Sequence, residues 1–176
     1  MILRLLVLFA LSSGLAAAVG GVAERGFAAP SLRPHVAVAA AADVPPCPVP
    51  RRFRPSFEAA VEEARVPMAM LLAVAEVESS LRPDAVSPKG ARGLLQVMPA
   101  TAAELQLDPD HVPSNVLAGA RYLRAMLDLF RSTDLALAAY HAGPTAVANA
   151  GGPPGADTAA YVGAVTARWR ALGGCG

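Results

Sequence analysis

The amino-acid sequence predicts an all-α fold on two observations. Segments of helical length are separated by Pro, Gly and Asp, and no stretch alternates apolar with polar residues as a half-buried strand would. The first pattern is typical of short helices in a compact domain, and the second argues against β-strands. We expect this domain over residues 51–173, roughly 120 residues and close to the usual size of a single domain.

Composition and charge narrow the classes of function. Of the 176 residues, 54% are hydrophobic, and the formal net charge is +1. A nucleic-acid-binding protein that relies on a basic surface would carry a larger excess of Lys and Arg. We therefore expect no nucleic-acid partner.

The N-terminus has the layout of an export signal. Arg4 precedes an apolar run over residues 5–11, and Ala16 and Ala18 then give an Ala-x-Ala pattern. The apolar run is shorter than the ~20 residues that span a membrane, so residues 1–18 are predicted to be a secretory signal peptide, with an uncleaved anchor as the alternative. The protein is accordingly expected to be exported to the periplasm or elsewhere in the cell envelope.

A linker and two cysteines frame the predicted domain. Residues 19–50 are rich in Ala and Pro, lack a helical period and are expected to be disordered. The cysteines are Cys47, just before the domain, and Cys175, at the penultimate position. In an exported chain an even number of cysteines favours one disulfide, here between the two ends, and two free thiols are the alternative.

The first two helices are predicted from their punctuation. Ser56 can cap a helix that runs to about Arg65, and Pro67 suits the first turn of a second helix that continues to about Ser80. Pro83 ends this second helix. The loop that follows is rich in Pro and Gly.

Two further helices follow this loop. Pro99 opens a short helix in which Thr101 and Glu104 have the spacing of a capping box, and Ser114 or Asn115 caps a longer one. Apolar residues recur at steps of three and four along the longer helix and predict its core-facing stripe. These residues are Val116, Ala120, Leu123, Leu127 and Phe130.

The C-terminal part is predicted to hold two helices joined by a loop. Thr133 or Asp134 starts a helix that ends at Gly143, because glycine readily takes the left-handed conformation after a helix. The residues from there to Ala156 are predicted to be a loop. Asp157, or the residue after it, then starts the last helix.

The second helix contains two glutamates in an otherwise apolar run. At 100° per residue, Glu78 points within about 20° of Leu71 and so lies in the apolar arc, whereas Glu76 falls at its edge. A carboxyl group enclosed by apolar side chains has a raised pKa and stays protonated closer to neutral pH. A protonated carboxylic acid can donate to a poor leaving group such as a glycosidic oxygen. From the residues alone, Glu78 is either such an acid or a buried structural glutamate near a helix end.

A longer pattern follows these glutamates. Glu78 and the serine after it are followed over residues 87–102 by Ser-Pro-x-Gly-Ala-x-Gly-Leu-Leu-Gln-Val-Met-Pro-x-Thr-Ala. Residues 115–123 read Asn-Val-x-x-Gly-x-x-Tyr-Leu, residues 139–144 Ala-Tyr-His-Ala-Gly-Pro, and residues 158–162 Thr-x-x-Tyr-Val. In this order the motifs resemble those of the soluble lytic transglycosylases, peptidoglycan-cleaving enzymes with a lysozyme-like α fold.

The resemblance implies roles for seven residues. Glu78 would be the catalytic acid and then the base. The residues implied to bind substrate are Ser87, Gln96, Met98, Tyr140, His141 and Tyr161. Ser87 would hydrogen-bond Glu78, and the glutamine and methionine would shape a glycan-binding cleft. Tyr140 would bring its hydroxyl to the scissile bond, and Tyr161 would support the Glu78 side of the cleft, although this tyrosine and the methionine also suit plain core positions.

Three positions depart from the family pattern. His141 stands where the family has Asn, Leu95 where Met is usual, and residues 157–159 read Asp-Thr-Ala where Glu-Thr-Arg is common. Leu keeps the volume of Met and is expected to cost little. His keeps the capacity to hydrogen-bond but titrates near neutral pH, so it is expected to be tolerated or to tune substrate contact and pH dependence.

The implied reaction cleaves the β-1,4 bond between N-acetylmuramic acid and N-acetylglucosamine, forms a 1,6-anhydromuramyl product and needs no cofactor or metal. Glycan strands of peptidoglycan would be the partner, an envelope-spanning secretion or pilus machine is a second candidate partner, and we expect a monomer. Two alternatives stay open: a goose-type lysozyme-like hydrolase, and a non-catalytic peptidoglycan-binding module of a secretion or pilus assembly. Standard glycosidases use two carboxylates, and no acidic residue besides Glu78 lies in an obvious site motif.

Overall fold

The computed structural model describes residues 45–176, and all regular secondary structure within this range is helical, which confirms the predicted all-α class. The predicted signal peptide and residues 19–44 of the predicted linker lie outside the described residues. The seven helices are α1 (Arg54–Ala64), α2 (Met68–Ser79), α3 (Pro99–Glu104), α4 (Val112–Phe130), α5 (Thr133–Ala142), α6 (Pro144–Ala150) and α7 (Gly155–Ala171). None of these helices is long and apolar enough to cross a membrane.

Helix α2 lies at the centre of the core. Seven consecutive residues, from Ala69 to Ala75, are each at most 2% exposed. A helix that is apolar on every side is buried on every side, and α2 packs against both α1 and α7. The helix wheel therefore does not separate a core face from a solvent face in this helix, and partial exposure is confined to its first residue, Met68, and to its last turn, with Glu76 and Glu78.

Four of the helices, α1, α3, α4 and α6, have a proline in their first turn and no side-chain cap. The caps predicted at Ser56 and at Ser114 or Asn115 are wrong, because α1 and α4 start earlier, with Pro55 and Pro113 in their first turns. The capping box predicted at Thr101 is absent as well, since α3 begins at a proline. Proline has no N–H to be capped and a φ already suited to a helix, so it can start one without a capping side chain.

The C-terminal helices include one that the sequence did not predict. Helix α5 begins at Thr133 as predicted and ends before Gly143, which has φ 87°. The next residues were predicted to be a loop, but they form α6, which starts at a proline and buries Val147. The positive φ of Gly143, which glycine adopts without strain, lets the chain turn at once into α6, so the residue that ends one helix also precedes the next. Helix α7 starts at Gly155, two residues before Asp157.

The two cysteines are joined in a disulfide. Cys47 and Cys175 lie 128 residues apart in sequence and 4.8 Å apart between Cα atoms. Cys47 and Val49, at the end of the segment predicted to be a linker, are both buried in the core. The chain therefore begins to pack before α1, and the bond joins this segment to the residues after α7.

Asn115 braces the long loop between α2 and α3. This residue lies within α4 and is 1% exposed. Its Oδ1 accepts a hydrogen bond from Leu95 N at 2.9 Å, and its Nδ2 donates to Arg92 O at 2.7 Å and to Pro109 O at 2.9 Å. A Cβ added at Gly93 would lie 2.5 Å from the same Nδ2, so glycine is required for this close approach.

We expect Asn115→Ala to lower the free energy of unfolding by about 2–3 kcal/mol, because buried backbone groups of the loop would lose their partner. Urea denaturation followed by circular dichroism measures this change. Asn149 is exposed on α6, so Asn149→Ala is a matched control that should stay within about 0.5 kcal/mol of the wild type. Equal stability of the two variants would contradict the bracing role of Asn115.

Candidate active site

Six of the seven residues predicted to form the site line one pocket of about 350 Å³. These residues are Glu78, Ser87, Gln96, Met98, Tyr140 and His141. The seventh, Tyr161, contacts Glu78 directly. Helix α2 supplies the glutamate, the loop before α3 supplies the next three residues, and α5 and α7 supply the aromatic ones.

Glu78 is held in a mostly buried position on the last turn of α2. The hydroxyl group of Tyr161, a residue that is 7% exposed, donates to Glu78 Oε1 at 2.7 Å. Burial raises the pKa of Glu78 to about 7, and the hydrogen bond from Tyr161 lowers the pKa in part by stabilising the charged form. Near neutral pH this carboxyl group can therefore hold or release a proton.

Tyr140 lines the pocket from a buried position, and its hydroxyl group is hydrogen-bonded to the backbone. Its hydroxyl group donates to Leu95 O at 2.8 Å, and its ring packs at a tilt against Tyr122 with 5.3 Å between centroids. Burial raises the pKa of Tyr140 well above its usual value, and the charge of Glu78 raises it further. A Cβ at Gly119 would lie 2.4 Å from Leu95 Cβ and 3.0 Å from the Tyr140 hydroxyl, so α4 can approach this closely only with glycine there.

The side chains of Ser87 and Gln96 form hydrogen bonds with backbone groups of the loop in which they lie. Ser87 Oγ accepts from Ala91 N at 3.0 Å across a tight turn, and the predicted hydrogen bond between Ser87 and Glu78 is absent from the described residues. Gln96 Nε2 donates to Ala85 O at 3.1 Å and to Gly93 O at 3.0 Å. Gln96 thus fixes the loop with its amide nitrogen, and its Oε1 makes no hydrogen bond within residues 45–176.

His141 covers Tyr161. The two rings stack with 4.4 Å between centroids and 23° between planes. Burial and then the charge of Lys89 lower the pKa of His141, and Asp157 opposes them. Both effects favour the neutral imidazole, which can act as a hydrogen-bonding group in the lining of the pocket.

A second pocket of about 300 Å³ adjoins the first. The two share five lining residues, namely Lys89, Gln96, Met98, Tyr140 and His141. Met98 is 41% exposed and so presents an apolar surface to both pockets. Glu78 is the single carboxylate among the residues that line either pocket. Within residues 45–176, no group of three His, Cys, Asp or Glu side chains is placed to hold a metal ion.

Among the lining residues that were not predicted as site residues, Lys89 and Tyr122 have the largest polar side chains. Lys89 lines both, and Tyr122 lines the second. Tyr122 has a sequence signal, because it lies in the motif of residues 115–123, whereas Lys89 occupies the unspecified position of the Ser-Pro-x-Gly motif and has none. Lys89 makes no ion pair within the described residues, so its charge is available to the pocket.

Known proteins match both the sequence and the fold. The family model "Transglycosylase SLT domain" matches residues 55–161. A transglycosylase of Enterobacteria phage PRD1 is 41% identical over 97 residues, which are 54% of this chain and 35% of that protein. The soluble lytic murein transglycosylase of Escherichia coli K12 is 30% identical over 110 residues, which are 54% of this chain and 17% of that protein. The chain thus spans about a third or less of the length of these curated relatives.

Two solved structures share the helical fold. The lytic transglycosylase Slt of Pseudomonas aeruginosa, solved as an inactive mutant, has a TM-score of 0.60 at 24% identity and covers 68% of this chain and 24% of its own. The 70 kDa soluble lytic transglycosylase of Escherichia coli has a TM-score of 0.57 at 26% identity and covers 70% of this chain and 25% of its own. The arrangement of helices around the Glu78 pocket is therefore the fold of those proteins.

Proposed function

This chain belongs to the transglycosylase SLT domain family, and we propose that it is a peptidoglycan lytic transglycosylase. The bond cleaved would be the β-1,4 linkage between N-acetylmuramic acid and N-acetylglucosamine, with Glu78 as the catalytic residue. The observation that carries this proposal is the environment of Glu78. It is the single carboxylate in the lining of its pocket, it accepts a hydrogen bond from Tyr161, and its pKa is raised to about 7.

The acid step uses the free oxygen of Glu78. Because Oε1 accepts the Tyr161 hydroxyl, the proton of the acid form resides on Oε2 and can face the sugar. Donation to the bridging oxygen lets the C1–O bond of the muramyl residue break. The acetamido group of the substrate would stabilise the positive charge that develops at C1.

The base step returns Glu78 to its starting state. The carboxylate takes the proton of the muramyl 6-hydroxyl while O6 bonds to C1, which closes the 1,6-anhydro ring. The Tyr161 hydroxyl stabilises the carboxylate between the two steps, since its hydrogen bond favours the charged form. One bond is broken, one is formed and one proton is passed on, so no water is consumed.

The absence of a second carboxylate from the pocket lining favours this reaction over the goose-type hydrolase. A standard glycosidase places a second carboxylate ~5–5.5 Å or ~6.5–9.5 Å from the acid, where it serves as nucleophile or base. Mass spectrometry of the products released from purified sacculi separates the two reactions, because hydrolysis adds one water and anhydro formation adds none. Products of hydrolysis alone would overturn the proposal, and no products at all would favour the non-catalytic binding module.

We expect Tyr161→Phe to raise the pKa of Glu78, because the lost hydrogen bond is the contact that lowers it. The alkaline limb of the pH profile should move up, and kcat should fall roughly tenfold as the carboxylate loses a donor. Rates on soluble glycan strands between pH 5 and 9 measure both effects. Tyr140→Phe is the comparison, since that hydroxyl bonds Leu95 O rather than Glu78. The same upward shift in both variants would contradict a specific role for Tyr161.

The proposed setting is the cell envelope, and the proposed partner is peptidoglycan. Relatives of this chain are named membrane-bound lytic murein transglycosylases, and the Cys47–Cys175 disulfide suits an oxidising compartment. Residues 1–18 would be removed on export, residues 19–50 would lead into the domain, and residues 51–173 would form the catalytic domain. N-terminal sequencing of the exported protein tests the first of these boundaries. We propose that the protein is a monomer, which light scattering tests. We propose an envelope-spanning secretion or pilus machine as a second partner, which co-purification from cell envelopes tests.

A further inference from the structure

Glu76, the other glutamate of α2, forms an ion pair with α7. Arg168 Nη2 donates to Glu76 Oε1 at 2.8 Å, and Arg168 Nε donates to Glu76 Oε2. Both oxygens of the carboxylate are therefore engaged by one guanidinium group, an arrangement that fixes orientation as well as distance. The Glu76 side chain is 22% exposed, and the residue that the helix wheel placed at the edge of the apolar arc therefore has a specific partner.

The two glutamates link α2 to α7 from opposite sides. Glu76 and Glu78 are two residues apart, which separates them by about 200° around α2. Their partners Arg168 and Tyr161 are seven residues apart, which places them on one face of α7 at about 10 Å from each other, close to the diameter of a helix. Helix α7 thus holds the last turn of α2 on both flanks.

We propose that the Glu76–Arg168 ion pair is a positioning device that fixes the rotation of the last turn of α2 and so keeps the Tyr161 hydroxyl on Glu78 Oε1. Rotation of α2 about its axis would draw one flank away from α7 and press the other against it. Ser79 Oγ donates to Leu94 O at 2.9 Å and ties the same turn to the loop. Loss of the ion pair is therefore expected to loosen this turn and not to unfold it. The proposal rests on the proposed function in that it gives the acid and base role to Glu78.

The groups that influence the pKa of Glu78 lie on α5, on α7 and on the loop before α3. The Glu76–Arg168 ion pair consists of two opposite charges, so it adds little net electric field at Glu78. The titratable and charged groups around Glu78 are Tyr140 and His141 on α5, Tyr161 on α7 and Lys89 on the loop, with Asp157 acting on His141. An effect of the ion pair on Glu78 is therefore expected to come from position rather than from charge.

Glu76→Gln tests the proposal. We expect the Glu78 pKa, followed by carbon-13 NMR of its carboxyl group, to rise because the Tyr161 hydrogen bond is weakened. We expect kcat to fall roughly three- to tenfold while KM stays within about twofold, since a positioning defect acts on the reacting state. Asp128→Asn is the matched control, because it breaks an ion pair with Arg124 that lies within α4, and it should change neither quantity.

Two further variants separate position from charge. Arg168→Lys keeps the charge but loses the two-nitrogen contact, so it should resemble Glu76→Gln. In a Tyr161→Phe background, Glu76→Gln should leave the Glu78 pKa unchanged, because the bond that it weakens is already gone. A wild-type Glu78 pKa in Arg168→Lys, or an equal shift in both backgrounds, overturns the inference.

The NMR titration does not depend on catalysis. If the wild-type protein releases no product from sacculi, the proposed function fails, while the coupling between Glu76 and Glu78 can still be measured. If the wild-type protein is active and the two substitutions shift the Glu78 pKa additively, the positioning inference fails alone.

Discussion

Glu78→Gln is expected to abolish the release of anhydro-muropeptides from purified sacculi, with kcat lowered about a thousandfold or more. The amide can neither donate the proton that the leaving oxygen needs nor accept the proton of the 6-hydroxyl. No other carboxylate lines the pocket to take over either step. Quantification of the products by liquid chromatography and mass spectrometry measures the loss, and product release at the wild-type rate would sink the assignment.

The same variant is expected to be more stable than the wild type at alkaline pH. The pKa of Glu78 is 4.5 in the unfolded chain and about 7 in the folded protein. Between these values the unfolded chain releases a proton that the folded protein retains, so the cost to stability builds up from pH 4.5 and is complete above pH 7. Gln does not ionise and escapes this cost, which is of the order of a few kcal/mol.

Thermal unfolding at pH 4 and pH 8 tests whether the Glu78→Gln variant keeps its fold, which is the control for its loss of activity. The variant and the wild type should have similar midpoints at pH 4, where Glu78 is protonated in both states. At pH 8 the midpoint of the variant should be higher. A lower midpoint at pH 8 would show that the substitution damages the fold, and the loss of activity would then say nothing about proton transfer.

The order of the helices could be predicted because single residues near each helix end determine where the helix begins or stops. Pro67, Pro99 and Gly143 lie at or next to helix ends, and each acts through its own backbone geometry. The unpredicted helix α6 shows the limit of this reasoning, because a segment bounded by glycines is a loop or a short helix according to whether a side chain such as Val147 finds a core to enter. That depends on tertiary packing.

The composition of the site could be predicted, but its hydrogen bonds could not. The motifs placed six residues in one pocket without any distance being known. The partner of Ser87 is a backbone N–H four residues away, and the hydroxyl of Tyr140 is taken up by Leu95 O. Such choices depend on side-chain conformation in the folded chain, which a motif does not encode.

The difference between the two glutamates also comes from α7. Both lie on the last turn of α2, and both are partly buried. Glu76 meets a guanidinium group 92 residues away, whereas Glu78 meets a phenol 83 residues away. A cation stabilises a carboxylate as an ion, while an enclosing pocket with one neutral donor leaves the pKa of Glu78 raised to about 7. The helix wheel placed the two glutamates at different angles, but the physical distinction between them comes from the burial of Glu78 and from their different partners on α7.

Removal of the disulfide is expected to have the largest effect on stability. Replacing Cys47 and Cys175 together by Ser should lower the free energy of unfolding by about 4–5 kcal/mol, because the bond closes a loop of 128 residues and limits the freedom of the unfolded chain. A domain of this size has a total stability of about 5–15 kcal/mol, so much of it would be lost. Urea denaturation at 20 °C measures the change.

Two comparisons make this expectation specific. Reductant should destabilise the wild type and leave the double variant unchanged, since the variant has no bond to reduce. The folded fraction of the variant should keep its kcat at 20 °C, because the bond lies beyond Arg168 at the end of α7 and Glu78 contacts the first half of that helix. Equal stability of the two proteins under oxidising conditions would mean that packing of Cys47 and Val49 holds the N-terminal segment without the bond.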